Sequence, residues 1–151
     1  MLNQRNRFPV TVHIFLLRQK HILLLRRQNT GFADGLFSVV AGHIDGNESV
    51  RQAAKREAAE EVGIDLKLDD LHFAGVMHRR EGEERIDFFF STHIWHGEPE
   101  NLEPDKCSEL RWVPIDTLPE DTVPYIKHSV RYFRQAEFFM EYGWERADKD
   151  W

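Results

Sequence analysis

A chain of 151 residues that is 41% hydrophobic and 30% charged is suited to one globular domain with a real core, which excludes a disordered chain. Its formal net charge of −6 disfavours general attraction to nucleic acid polymers and anionic membranes, so an anionic substrate needs local help from metal ions and arginines. The single cysteine, Cys107, excludes an intrachain disulfide and suits a reducing compartment.

Val10, Val12, Ile14 and Leu16 alternate with Thr11, His13, Phe15 and Leu17, which predicts a strand. The run is too short and too regular in its alternation for a signal peptide or a spanning helix, so a soluble cytoplasmic protein is expected. After a polar break at 18–20, His21 to Arg26 completes a hairpin. Gly31 and Gly35 around Phe32 predict an exposed loop over Arg27 to Leu36. Phe37 to Val40 follows as a short strand ending at Ala41 and Gly42. A helix is expected from about Ser49 to Val62, with Asn47 as its N-cap, Glu48 near the positive end of its dipole and Gly63 as its left-handed stop. Leu71 to Arg80 and Arg85 to Trp95 predict two more strands about a charged turn at 81–84. In the second of these, Phe88, Phe89 and Phe90 are strand packing, with Phe89 a candidate to face a pocket. A polar loop over 97–108 precedes a short strand through Leu110 and Trp112. Pro119 and Pro124 bracket the entry to a last helix on which Ile126, Val130 and Phe133 share a face. Glu145 to Trp151 reads as a loose tail. The expectation is one mixed α/β domain over residues 1–151, its core lying between about residues 8 and 143.

The helix over 49–62 carries the chemistry. On a wheel at about 100° per residue, Val50, Ala53, Ala54, Ala58 and Val62 form the stripe that must face the sheet. Glu57 and Glu61, four apart, fall inside or at the edge of that stripe, and Glu60 lies on its flank. Carboxylates crowded on a partly buried face repel one another and lose hydration. A divalent cation relieves both costs, and ligands that are all oxygen favour Mg²⁺ or Mn²⁺ over Zn²⁺. A solvated acidic helix end with Arg56 paired to glutamates is the plainer alternative; the inward position and the preceding glycine loop weigh against it.

The segment GHIDGNESVRQAAKREAAEEVGI, from Gly42 through Glu48, Arg56, Glu57, Glu60, Glu61 and Gly63 to Ile64, resembles the Nudix box of Nudix (MutT-like) hydrolases in spacing and in every fixed residue. Ala58 stands where a bulkier aliphatic residue is the formal expectation. The resemblance implies an α/β/α sandwich around a mixed β-sheet and hydrolysis of a diphosphate linkage in a nucleoside diphosphate joined to another group. It implies that Glu57 and Glu61 bind metal, that Glu60 is a further ligand or the water-activating base, and that the Gly42 carbonyl is a ligand. Arg56 and Glu48 would pair to orient the cluster. A further acid in a later loop is expected to join them, with Glu103 the candidate and Glu109 the runner-up.

The box does not choose a substrate. Family groups acting on ADP-ribose tend to carry a proline past the box, and those acting on dinucleoside polyphosphates a tyrosine. Neither residue occurs between Ile64 and Trp95. That leaves nucleoside triphosphates and related nucleoside diphosphate derivatives ahead of ADP-ribose, sugar-nucleotide or other small diphosphates. A non-catalytic nucleotide-binding regulator on the same fold is the rival class, and the intact glutamate set argues against it. Arg26, Arg27, Arg79 and Arg80 are candidates to offset phosphate charge, one or two at most, the rest being surface charges. Phe32 either stacks on a base or tucks onto the core. Asp116 either reads a purine or serves a turn beside Pro119. His43 and His78 lack the spaced partners of a zinc site. The partners expected are a small nucleotide and a metal ion, with no nucleic acid polymer or membrane, in a monomer or homodimer.

Overall fold

The first alternating run forms β1 (Val10–Arg18) and the second β2 (His21–Arg27). The computed structural model describes residues 5–144, so the tail expected at Glu145 to Trp151 lies outside the described residues. In chain order follow β3 (Phe37–Ser38), β4 (Val40–His43), α1 (Val50–Val62), a 3₁₀ turn at Leu68–Asp70, β5 (His72–Glu81) and β6 (Glu83–Thr92). β7 (Cys107–Pro114), α2 (Pro124–Arg134) and β8 (Phe139–Tyr142) complete the described chain.

β1 and β2 pair beside their turn, Leu17 with Ile22 and Arg18 with His21, and then take different partners. β1 runs between β4, antiparallel, and β6, parallel. β5 continues that branch antiparallel to β6, and β8 lies parallel to β5. β2 runs between β3 and β7, both antiparallel. The mixed sheet therefore forks at the β1–β2 turn, and the gap between its branches widens toward Thr11 on one side and Arg26 on the other.

Both faces of β1 are covered, which is why its run is almost wholly apolar. Val12, Ile14 and Leu16 pack with Ala53, Ala54, Ala58 and Val62 of α1. Phe15 and Leu17, on the other face, pack with Met77, Phe89 and the α2 residues Ile126 and Val130. Complete burial of a side chain such as Ile14 or Leu16 stabilises the fold by about 1.5–3 kcal/mol. The layers are those of an α/β/α sandwich.

Four expectations are corrected. Phe37 to Val40 is not one strand, because Phe37 and Ser38 pair with β2 whereas Val40 onward pairs with β1; the chain changes branches at Val39. Helix α1 is capped by Ser49, not Asn47. The Ser49 hydroxyl accepts from the Gln52 amide at 3.1 Å while the Gln52 side chain accepts from the Ser49 amide at 2.8 Å, a reciprocal box that Asn47, in a left-handed turn at φ +66°, does not form. Strand β6 stops at Thr92, whose hydroxyl bonds the amide and carbonyl of Ile94 and diverts the backbone from the ladder before Trp95. Phe89 faces no pocket: its register with His13 places it under α2, fully buried and stacked on the imidazole at 4.5 Å. Gly63 does end α1 in the left-handed region, at φ +71°.

Candidate active site

The apolar stripe of α1 presses that helix against β4 and β1, so the residues at the edge of the stripe emerge beside β4. Glu61 accepts a hydrogen bond from the Ala41 amide at 3.0 Å, and Glu57 lies beneath Gly42. A Cβ at Gly42 would meet the Glu57 carboxyl carbon and one of its oxygens at 2.1 Å, so the missing side chain is the space the carboxylate occupies. Glu60 stands on the solvent flank, its side chain 52% exposed.

Arg56 organises these acids. Its Nε and Nη2 donate to the two oxygens of Glu48 at 3.1 and 2.7 Å, a fork-to-fork pair. Its Nη1 donates to Glu57 at 2.8 Å and to Glu60 at 3.3 Å, and Nη2 also reaches the His43 carbonyl at 3.0 Å. The bond from Arg56, aided by the Asp45 amide, holds the Glu48 carboxyl below the usual carboxylate range. Glu57 moves the other way, because burial outweighs its bond to Arg56. Burial first, then repulsion from Glu57, drives Glu61 well above the usual range.

Glu103 joins the group through the end of α1. The Glu61 and Val62 carbonyls, unpaired within the helix, accept the amides of Leu102 and Glu100 at 3.1 and 2.9 Å. Asn101 ties the same loop to β7, donating to the Cys107 carbonyl at 2.7 Å. Glu103 thus lies close enough to repel both Glu57 and Glu61. Glu109 lies on β7 and pairs with Arg26 at 3.3 Å and Arg111 at 3.0 Å.

Glu57, Glu60, Glu61 and Glu103 border a cleft of about 780 Å³ between the two branches of the sheet. Its lining includes Arg26, Arg27, Phe32, Gly42, Glu57, Glu60, Glu61, Arg79, Glu103 and Lys106 from the candidate wall and rim. Arg26 spends its charge on Glu109 and on Asp121 at 3.1 Å. Arg27 instead donates to neutral oxygens, the Phe32 carbonyl at 2.8 Å and the Thr30 hydroxyl at 3.0 Å, with Phe32 beside its guanidinium. Phe32 is 46% exposed, so it does not tuck onto the core. Arg80 stacks near Trp144 rather than lining the cleft. Asp116 is exposed, bonds Thr117, and sits outside the cleft. The antiparallel register of β2 with β7 explains this, since it carries Pro114 to His21 beside the hairpin turn, the opposite end from Arg26.

A divalent cation fits this donor set on two observations: the cradle at Gly42, and two desolvated carboxylates set against each other. Among the described residues, no three acidic, imidazole or thiol side chains close into a finished coordination cluster. A hard cation that keeps several waters suits such a spread set of oxygens. His78 bonds Glu84 at 2.6 Å, and His43 borders the cleft and gives its carbonyl to Arg56.

The cleft floor holds a network that the sequence reading missed. Arg79, expected as a candidate to offset phosphate charge, is 3% exposed and donates through Nε to Asp87 at 2.6 Å, with its guanidinium 3.6 Å from the Tyr125 ring centre. Thr11 donates to the same carboxylate, and His13 bonds the Tyr125 hydroxyl at 3.0 Å. The one available signal was the polar pair Thr11 and His13 within an apolar strand.

The family model for the NUDIX domain matches residues 7–133. The chain is 31% identical over 109 residues to the oxidized purine nucleoside triphosphate hydrolase of Danio rerio, covering 70% of this chain and 67% of that protein. It is 28% identical over 114 residues to the NAD-capped RNA hydrolase NudC of Stutzerimonas stutzeri, covering 75% of this chain. The match spans 39% of the length of that relative. Among solved structures, a MutT NUDIX hydrolase from Burkholderia pseudomallei aligns with a TM-score of 0.77 at 26% identity, over 83% of this chain and 98% of that one.

Proposed function

The chain belongs to the NUDIX domain family, and from that premise we propose that it is a divalent-metal-dependent hydrolase of diphosphate linkages in nucleoside triphosphates or related nucleoside diphosphate derivatives. The observation that carries the reading is the pair Glu57 and Glu61, desolvated and set against Gly42 at the border of a cleft that Arg27 and Lys106 also line. The relatives named as nucleoside triphosphate and RNA-cap hydrolases support the same substrate class.

Glu57 and Glu61 are the principal metal ligands in this reading, with the Gly42 backbone, Glu60 and Glu103 within the same group. Mg²⁺ or Mn²⁺, when bound, neutralises phosphoryl oxygens and makes a bound water more acidic. Arg56 fixes the approach of Glu57 and Glu60, and Glu48 fixes Arg56. Glu60, the most open of the three helix acids, takes the proton from water in this reading, which its 52% exposed side chain supports. Arg27 and Lys106 bind the phosphate chain, and Phe32 offers a face to a base. Arg79 is left out of phosphate binding because Asp87 and Glu81 already hold its charge.

A screen of nucleotides with Mg²⁺, identifying the phosphate product, tests the reading. Release of pyrophosphate and a monophosphate by wild type, strongly reduced in Glu57→Gln and Glu61→Gln, is the expected result. Equal inertness of wild type and Glu61→Gln toward every nucleotide, with tight binding of one of them, would move the assignment to a nucleotide-binding regulator.

A further inference from the structure

The buried network on the cleft floor has a direction. Five side chains take part, and each is at most 7% exposed: Thr11, His13, Arg79, Asp87 and Tyr125. All but Asp87 line the cleft, and Asp87 lies behind them. Which atoms still offer hydrogen bonds to a ligand follows from where the protons go.

The Nδ1 of His13 faces the Phe88 carbonyl at 3.3 Å. A carbonyl can only accept, so Nδ1 carries the ring proton. Burial lowers the imidazole to about 4, against the pull of Asp87, so the ring is neutral at pH 7 and Nε2 is bare. Nε2 then accepts the proton of the Tyr125 hydroxyl across 3.0 Å. The Tyr125 oxygen is left with lone pairs alone. Thr11 reaches the same state by another route, because its hydroxyl proton is committed to Asp87.

Asp87 enforces that commitment. Burial opposes its ionisation, but the two bonds and the charge of Arg79, with the Thr11 hydroxyl, favour the carboxylate, which can only accept and so demands donors. Arg79 spends three N–H bonds on Asp87 and Glu81 and retains two, so the floor is not devoid of donors. At the rim, Glu81 and Glu83 add acceptors, and Arg85 is paired to Glu83. The two floor hydroxyls, groups that in water both donate and accept, have been turned into acceptors.

The cleft is therefore polarised from its α1 side, which carries the glutamates, to its α2 side, which carries the hydroxyl acceptors. Arg27 and Lys106 stand with the glutamates where a phosphate chain would lie, and the hydroxyl acceptors stand on the β1 and α2 side. We propose that Thr11 and Tyr125 are specificity-determining residues that select a nucleobase turning amino N–H donors toward the cleft floor. This rests on the reading of the chain as acting on nucleotides. An amino group satisfies acceptors that are otherwise stranded, whereas a base lacking it leaves them unpaired at a cost.

Binding of nucleoside monophosphates, measured by calorimetry with Mg²⁺, tests the assignment without requiring turnover. GMP, AMP and CMP are each compared with the analogue lacking the amino group alone. At least one amino-bearing member should bind about tenfold or more tightly than its analogue. In Tyr125→Phe or Thr11→Val that ratio should fall to about twofold or less. The two variants remove different acceptors, and thermal melts show that each is folded; if Tyr125→Phe does not fold, Thr11→Val carries the test. Equal affinity within all three pairs, an unchanged ratio in the folded variants, or no binding of any monophosphate overturns the assignment. The hydrolase reading fails separately, by absence of turnover in wild type.

Discussion

Gly42→Ala isolates the cradle from the rest of the site. Gly42 lies in extended β4 backbone, so alanine brings no conformational strain and even a modest gain in strand propensity. Its methyl would stand 2.1 Å from the Glu57 carboxyl carbon and one oxygen, and 2.5 Å from the other, where 3.0 Å is the practical limit of approach. The carboxylate must therefore retreat by about 1 Å, which also disturbs its 2.8 Å bond from Arg56. A misplacement of that size at a reacting centre costs about 100-fold, or about 2.7 kcal/mol of barrier. The expected outcome is a kcat near one hundredth of wild type, weaker Mg²⁺ dependence at a given concentration, and a Tm within about 2 °C. Steady-state turnover with Mg²⁺ titration, beside a thermal melt, reads all three. Full turnover in a folded Gly42→Ala protein would refute the reasoning, because the position of Glu57 would then not govern the chemistry.

Glu61→Gln keeps an acceptor for the Ala41 amide while removing a desolvated charge, so without metal its Tm at pH 8 should rise by about 2–4 °C as turnover collapses; a lower Tm would count against the buried-repulsion account. The raised Glu61 carboxyl means the folded protein keeps a proton that the unfolded chain has released. Metal-free stability should therefore fall as pH rises from the usual carboxylate value through the raised one, and the Tm gain from Mg²⁺ should grow over that window; a gain independent of pH would contradict it. Arg56→Lys loses the fork to Glu48 and should lower kcat about 10- to 100-fold, whereas equal activity would show that a point charge suffices. Ser49→Ala removes the α1 cap and should cost about 1 kcal/mol in a denaturant melt with kcat unchanged; no loss would make the capping box irrelevant.

What could be read from the sequence was what depends on near neighbours along the chain. The spacing of Glu57, Glu60 and Glu61 against the alanine stripe is set by one helix, whereas the pairing of Arg56 with Glu48, which precedes that helix, was reachable only through the resemblance. Glu103 was reachable through the resemblance, but the reason it arrives is the capping of the α1 carbonyls by residues 100–102, which no local pattern announces. The cleft floor was hidden for a related reason. Thr11 and Asp87 are 76 positions apart, and His13 and Tyr125 are 112 apart, so each looks unremarkable until β1–β6 register joins the first pair and the packing of α2 joins the second. Arg79 reads as a candidate for phosphate because its partner Asp87 lies across the β5–β6 hairpin, and Asp116 is misplaced because the β2–β7 register is not legible in the sequence.

The switch of branches at Val39 means that the two walls of the cleft are joined twice, once at the β1–β2 turn and once between β3 and β4. Both junctions lie at the narrow end, the second at the level of Ile14 and Leu25, and the cleft opens beyond them toward Thr11 and Arg27. The walls are thus held twice on one side, which fixes their spacing there before a ligand arrives. A single residue inserted after Val39 would leave both walls standing but turn every side chain of β4 to the opposite face and every amide to the opposite edge. Ala41 would no longer offer its amide to Glu61, and the empty place at Gly42 would no longer lie over Glu57. The alignment of the acidic helix with the basic wall is, in this sense, counted in residues along one short crossing.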